Sequence, residues 1–214
     1  MLNIKSFTFN PLMENTYVVS DETKACVIID CGAYSVNEQD TLMNYITDEQ
    51  LTPVRLLATH AHFDHNLGAG FISEAFGLQL ELHERDSELY QQMEKQTTQL
   101  AGLDWGSRKK APAKFFDETD IITFGNQSFE IIPTPGHTKG SVCFYSASQH
   151  ILFSGDTLFK GTIGRTDLPC GSMFQMTNSL RRLCQLPDTT QIFPGHGPST
   201  SMALELASNP FLDR

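Results

Sequence analysis

The hydrophobic positions change period along the chain, and that change outlines its elements. Residues 4–9, 16–19 and 25–29 are rich in β-branched and aromatic side chains with turn residues between them, which predicts three strands. A helix is expected after Asn37, burying Leu42, Tyr45 and Ile46. Pro53 breaks the chain, and residues 54–58 read as a buried strand. Leu78, Leu80 and Leu82 alternate with Gln79, Glu81 and His83, the period of two of a half-buried strand. That phase puts His83 on the solvent side. Leu89, Met93 and Leu100 then fall at helical spacing, and residues 101–118, with the single Trp105, read as irregular. Strands resume at 121–124, 128–132, 141–145 and 151–153. A helix over 173–186 is expected to bury Met173, Met176, Leu180 and Leu183, followed by a strand at 191–193 and a last helix near 200–207.

Strands that run in hairpins and also alternate with helices predict a layered α/β (α+β) architecture, not a bundle or a pure β-sandwich. With no linker, repeat or low-complexity tract, residues 1–214 read as one domain.

Charge narrows the partners. The formal charge is −10, from 25 acidic and 15 basic residues. Arg181-Arg182 and Arg108-Lys109-Lys110 are too short to offset it, so a nucleic-acid partner is not expected. No apolar run approaches the roughly 20 residues of a membrane span, and no membrane partner is expected. The N-terminus has no secretory pattern. The five cysteines are scattered and odd in number, which predicts reduced thiols in the cytoplasm.

The chemistry concentrates in Thr59-His60-Ala61-His62-Phe63-Asp64-His65, directly after an apolar strand. Imidazole and carboxylate at this density suit zinc, iron or manganese better than calcium or magnesium. Three later segments repeat the design: apolar runs lead into Pro135-Gly136-His137, Gly155-Asp156 and Pro194-Gly195-His196. Glycine before each donor lets the backbone turn sharply, and donors at four strand ends predict convergence on one rim. His60, His62, Asp64, His65, His137, Asp156 and His196 exceed the needs of one tetrahedral zinc, and none is a cysteine, so two metals in a catalytic site are expected. His83 and His150 fall outside this pattern.

The H-x-H-x-D-H run at 60–65, followed by His137, Asp156 and His196, resembles the metallo-β-lactamase superfamily over nearly the whole chain. The resemblance implies a four-layer αββα sandwich. It also implies that His60, His62 and His137 hold one metal, that Asp64, His65 and His196 hold the other, and that Asp156 bridges them. Asp30 matches the family's first motif and is expected to order the site from behind the ligands. The segments at 133–138 and 154–159 resemble the glyoxalase II branch, hydroxyacylglutathione hydrolases that cleave S-lactoylglutathione. Gly164-Arg165-Thr166-Asp167 resembles small single-domain members and persulfide dioxygenases. The chain departs from the long glyoxalase II form after His196, where Gly197-Pro198-Ser199 lacks its tyrosine and basic residues.

The expectation is therefore a hydrolase of small thioester or ester substrates with two Zn(2+), or Fe or Mn in one or both places, working through a metal-bridging hydroxide. Asp64 would accept a proton while ligating, and Lys160 and Arg165 would anchor a substrate carboxylate. The alternatives are a mononuclear iron persulfide dioxygenase and a metal-binding or sensing module without turnover.

Overall fold

The structure is a computed structural model that describes residues 1–106 and 108–212. Two six-stranded sheets organise it. The first contains β1 (Asn3–Phe9), β2 (Glu14–Ser20), β3 (Ala25–Ile29), β4 (Thr52–Leu57), β5 (Leu80–His83) and β6 (Ala113–Phe116), in that order. β1 to β3 pair antiparallel, and β3 to β6 pair parallel. The second sheet contains β7 (Ile121–Phe124), β8 (Gln127–Pro133), β9 (Val142–Ser146) and β10 (Ile151–Gly155). A small hairpin of β11 (Leu158–Phe159) and β12 (Thr162–Ile163) follows, then β13 (Gln191–Pro194) and β14 (Thr200–Ser201), which complete the second sheet in the order β14-β13-β10-β9-β8-β7. Helices α1 (Val36–Asp48), α2 (Ala69–Phe76), α3 (Ser87–Gln91) and α4 (Met93–Ala101) belong to the first half, and α5 (Met173–Leu183) and α6 (Met202–Ser208) to the second.

Alternation along single strands explains the layers. Val19, Val27, Ile29 and Leu57 point from the first sheet into a core shared with Phe129, Phe144 and Phe153 of the second. Their neighbours Val18, Ile28 and Leu56 point the other way, onto Leu42 and Ile46 of α1 and Ile72 of α2. On the far side, Cys143, Tyr145 and Leu152 pack against Met176, Leu180 and Leu183 of α5. Strands covered on both faces must be apolar throughout, which is why Val27-Ile28-Ile29 shows no alternation. Each fully buried phenylalanine contributes about 1.5–3 kcal/mol to this packing. The result is the αββα order.

Several local expectations need correction. Pro53 does not break the chain but lies within β4, at the register shift opposite Cys26/Val27, where a missing N–H is tolerated. The polar side of β5 is not solvent-facing: Glu81 and His83 are both buried, because β4 and β6 flank the strand. Arg55 and Lys114 neutralise Glu81 there. His83 accepts from the Arg85 N–H at 3.2 Å and faces Glu118 at 3.4 Å, and it joins none of the donor groups found among the described residues. The helix expected around Leu89, Met93 and Leu100 splits at Gln92, leaving Leu100 exposed. Met173 is likewise exposed, at the first turn of α5. Within 101–118, residues 113–116 form β6, Trp105 is buried, and Ser107 lies outside the described residues. Among the described residues no helix is long and apolar enough to cross a membrane.

Candidate metal centre

Four strand ends deliver the seven donors to one rim. His60 and His62 follow β4, and a short 3₁₀ turn at Phe63–His65 presents Asp64 and His65. His137 follows β8, Asp156 follows β10 and His196 follows β13. The structure brings all seven together. Nitrogens of His60, His62 and His137 lie within 4.8 Å of one another, as do donor atoms of Asp64, His65 and His196 and those of His60, His65 and Asp156. His62 Nδ1 is 3.1 Å from His60 Nε2 and 2.8 Å from His137 Nε2. Asp156 turns Oδ1 to His65 Nε2 at 3.3 Å, and Oδ2 to His137 Nε2 at 3.4 Å and His196 Nε2 at 3.8 Å. Asp64 Oδ2 meets His196 Nε2 at 3.3 Å.

The outward ring nitrogens fix the tautomers. His65 Nδ1 donates to Asp30 Oδ2 at 3.0 Å, and His137 Nδ1 donates to the Arg165 carbonyl at 2.8 Å. His196 Nδ1 donates to the carbonyls of Leu12 and Met13. The Thr59 hydroxyl donates to Asp30 Oδ2 and so receives His60 Nδ1 at 3.1 Å. In the neutral rings those protons are committed outward, which leaves the inward nitrogens of His60, His65, His137 and His196 free to ligate a metal. Asp30 lies directly behind His65, with its carboxylate on the ring nitrogen that faces away from the cluster. Its backbone adopts φ 52°, and its two oxygens take the Thr59 N–H, the Thr59 hydroxyl and His65.

Electrostatics separate the two groups. Burial and the neighbouring imidazoles hold His60 well below the ordinary range, and the same causes bring His62 down to about 3. Burial also opposes protonation of His65, but Asp156, Asp64 and Asp30 outweigh it and push that imidazole well up. Burial would raise Asp156 and Asp64, yet His65 and the other histidines hold both down. His65 Nε2 and Asp156 Oδ1, both buried, have no hydrogen-bond partner of their own. Imidazoles held neutral at His60 and His62, ionised carboxylates and orphaned donor atoms all fit a cation between them.

Close packing around the donors is tight. A Cβ at Gly195 would fall 2.3 Å from Asp156 Oδ1 and 2.6 Å from His65 Cε1, so only glycine lets this turn pass. Asn15 holds the same turn, donating to the carbonyls of Pro194 and Gly197 at 3.0 and 2.8 Å. Asn66 grips the other loop through the carbonyls of His60 and His62.

The cluster floors a cleft of about 540 Å³ walled by Leu12, Phe63, Leu100, Phe159, Ile163 and Leu168. Arg165 lines it, with its guanidinium engaged by Asp167 through two 2.8 Å contacts. Lys160 is exposed, and Phe159 beside it forms the wall. Sequence reasoning missed Glu14, which is fully buried next to Asp30 and His65, its carboxyl raised by burial. Its signal was a polar Glu14-Asn15-Thr16 opening an otherwise apolar strand. It also missed Asp86, buried beneath the loops that carry His62 and His137.

Two sheets in αββα order with a histidine–aspartate rim define a metal-dependent hydrolase fold. The chain belongs to the metallo-beta-lactamase superfamily, which it matches over residues 9–196. It is 33% identical to the hydroxyacylglutathione hydrolase GloC of Haemophilus influenzae, across 99% of this chain and 99% of the relative. Among solved structures it resembles the BLEG-1 B3 metallo-beta-lactamase, with a TM-score of 0.89 and 33% identity over 99% of this chain and 100% of the other. It also resembles TTHA1623 in a di-iron-bound form, with a TM-score of 0.84 and 37% identity over 97% and 100%.

Proposed function

We propose that this metal-dependent hydrolase is a binuclear thioesterase of the hydroxyacylglutathione hydrolase type, with zinc in both positions or iron or manganese in one or both. The observation that carries the reading is the placement of Asp156. One carboxylate sends an oxygen toward His65 and the other toward His137 and His196, joining two donor sets. On this reading His60, His62 and His137 form one set, and Asp64, His65 and His196 the other. The relationship to GloC supports a thioester substrate.

Bound metals supply Lewis acidity and lower the pKa of water to about 7. The chain does the rest. Asp64, kept ionised by His65 and His196 despite its burial, accepts the proton of the attacking water on its carboxylate. No separate general acid is needed for a thioester, because the leaving thiolate requires little protonation. The apolar wall from Leu12 to Leu168 excludes bulk water and receives the acyl portion. Arg165 takes a substrate carboxylate by exchanging it for Asp167, and Lys160 meets only a substrate long enough to leave the cleft.

The test is elemental analysis of protein purified without added metal, with the same sample assayed on S-lactoylglutathione. Near two metal equivalents with turnover is expected. One iron, no hydrolysis and oxygen uptake with glutathione persulfide would replace this reading by the dioxygenase. Stoichiometric metal without turnover of any ester or thioester would leave a binding module.

A further inference from the structure

Asp86 lies outside the seven donors and is only 2% exposed, at the end of a charged His83-Glu84-Arg85-Asp86 stretch. Its carboxylate takes three hydrogen bonds. Oδ2 accepts from the Ala61 N–H at 3.0 Å and from the Thr138 hydroxyl at 2.8 Å, and Oδ1 accepts from the Gly140 N–H at 2.7 Å. The donors are not scattered. Ala61 sits between His60 and His62, and Thr138 directly follows His137, so two of the three belong to immediate chain neighbours of one histidine trio. Asp64, His65 and His196 have no such neighbour on Asp86.

Two further contacts show that the site is built around this carboxylate. A Cβ at Gly140 would lie 2.7 Å from Asp86 Cγ and 2.8 Å from Oδ1, so glycine is what allows the backbone to close on it. Ser141 Oγ lies 2.7 Å from the Thr138 hydroxyl and accepts from the Thr138 N–H at 3.1 Å, which aims that hydroxyl at Asp86. Asp86 follows β5 of the first sheet, whereas His137 comes from the second. The carboxylate thus spans the gap between the sheets and sets the distance between the His60–His62 loop and the His137 loop.

We infer that Asp86 is the positioning residue of the His60/His62/His137 set, and that it governs metal affinity there while leaving the Asp64/His65/His196 set alone. This rests on the metal reading above. Asp30 is its counterpart, bonded directly to His65. Asp86 thereby stands behind one set alone, whereas Asp30 holds His65 directly and reaches His60 at one remove, through the Thr59 hydroxyl. Partners behind metal ligands are typically worth about 10–100-fold in affinity.

The experiment titrates cobalt(II) into metal-free wild type and the Asp86→Ala, Asp86→Asn and Thr138→Val variants, following the cobalt spectrum. Hydrogen exchange of the Ala61 and Gly140 amides is measured on the same proteins before metal is added. Wild type is expected to bind two equivalents. Asp86→Ala should lose about tenfold or more at one position only, with faster exchange at both amides. Thr138→Val, which removes the hydroxyl's bonds to Asp86 and Ser141 and keeps the carboxylate, should show a smaller loss at the same position, and serves if the Asp86 variants fail to fold. Asp30→Asn should weaken the His65 position most, giving a different residual spectrum. Equal weakening of both positions, or a lower melting temperature with both affinities unchanged, would overturn the inference. Unchanged amide exchange in Asp86→Ala would overturn the brace itself. Protected amides that become exposed in a protein whose wild type binds no cobalt would instead overturn the metal reading and keep the brace as purely structural.

Discussion

Asp30→Asn is a one-atom change at a point where three donors meet. Oδ1 receives the Thr59 N–H at 2.7 Å, and Oδ2 receives the Thr59 hydroxyl at 2.7 Å and His65 Nδ1 at 3.0 Å. An asparagine has one acceptor oxygen. Placed at Oδ2, it leaves its amide N–H₂ facing the Thr59 N–H, two donors with nothing between them. Flipped, it presents N–H₂ to His65 Nδ1, which can accept only if the imidazole proton moves to Nε2, the nitrogen that faces Asp156. Either way one buried donor loses its partner, at about 1–3 kcal/mol, and the remaining bonds drop from charge-assisted to neutral, about 1 kcal/mol more. A loss of about 2–4 kcal/mol is expected in urea unfolding of the metal-free variant, a large part of the ~5–15 kcal/mol of a typical domain. Isothermal titration with zinc should show about 10–100-fold weaker binding at one of two positions. Unfolding within ~0.5 kcal/mol of wild type, the range of a neutral surface change, together with two unaltered zinc affinities, would refute the role given to Asp30.

Asp156→Ala should remove metal and turnover together, and retained metal with full activity would sink the two-set arrangement. Gly195→Ala places a methyl against Asp156 Oδ1 and His65 Cε1; elemental analysis should find less than two equivalents, with kcat/KM down by roughly tenfold or more, in line with a displaced catalytic geometry. For pH, the unfolded chain protonates His60 and His62 near 6.5, while folded His62 waits until about 3 and His60 is also lowered. The unfolded state therefore binds more protons below 6.5, and the metal-free protein should lose stability as pH falls through that window. His65, raised, acts oppositely: its contribution is full below 6.5 and lost as pH rises through its folded pKa. Urea melts of wild type and His62→Gln between pH 6.5 and 4.5 check this, the variant being expected to lose less. Arg55→Ala should cost about 2–3 kcal/mol by stripping one partner from buried Glu81 while Lys114 remains; a thermal melt unchanged from wild type would contradict it.

Much of this site was legible because its ligands are chemically expensive to bury without a cation, and because each follows an apolar strand. His60, His62, Asp64, His65, His137, Asp156 and His196 were placed on one rim by that logic, and the structure gathers them there. Asp30 was read from its motif, and the structure places its carboxylate on Thr59 and His65. What escaped was polarity buried for reasons that appear only in three dimensions. Glu81 and His83 alternate with leucines as solvent-facing residues would, yet parallel neighbours on both sides cover them and distant Arg55 and Lys114 supply the compensating charge. Asp86 has no periodicity to betray it: its three donors come from 25, 52 and 54 residues away. β6 was hidden because Ala113–Phe116 gains its strand conformation from pairing with β5, and its four residues are too few to show a period.

The division of the donors between the sheets bears on how the protein is made. His60, His62, Asp64 and His65 are translated and folded with the first sheet, whereas His137, Asp156 and His196 arrive with the second. An emerging chain therefore displays four of the seven clustered side chains before the rest, and on the proposed reading neither donor set is complete until β8, β10 and β13 have docked. On the proposed metal reading, a bound ion would act as a latch between the halves. At a free metal concentration 100-fold above its Kd, one bound ion adds about 2.7 kcal/mol to that latch. Metal scarcity in a growing cell would then register as a longer-lived, half-joined chain open to proteases, before it registered as a slower reaction.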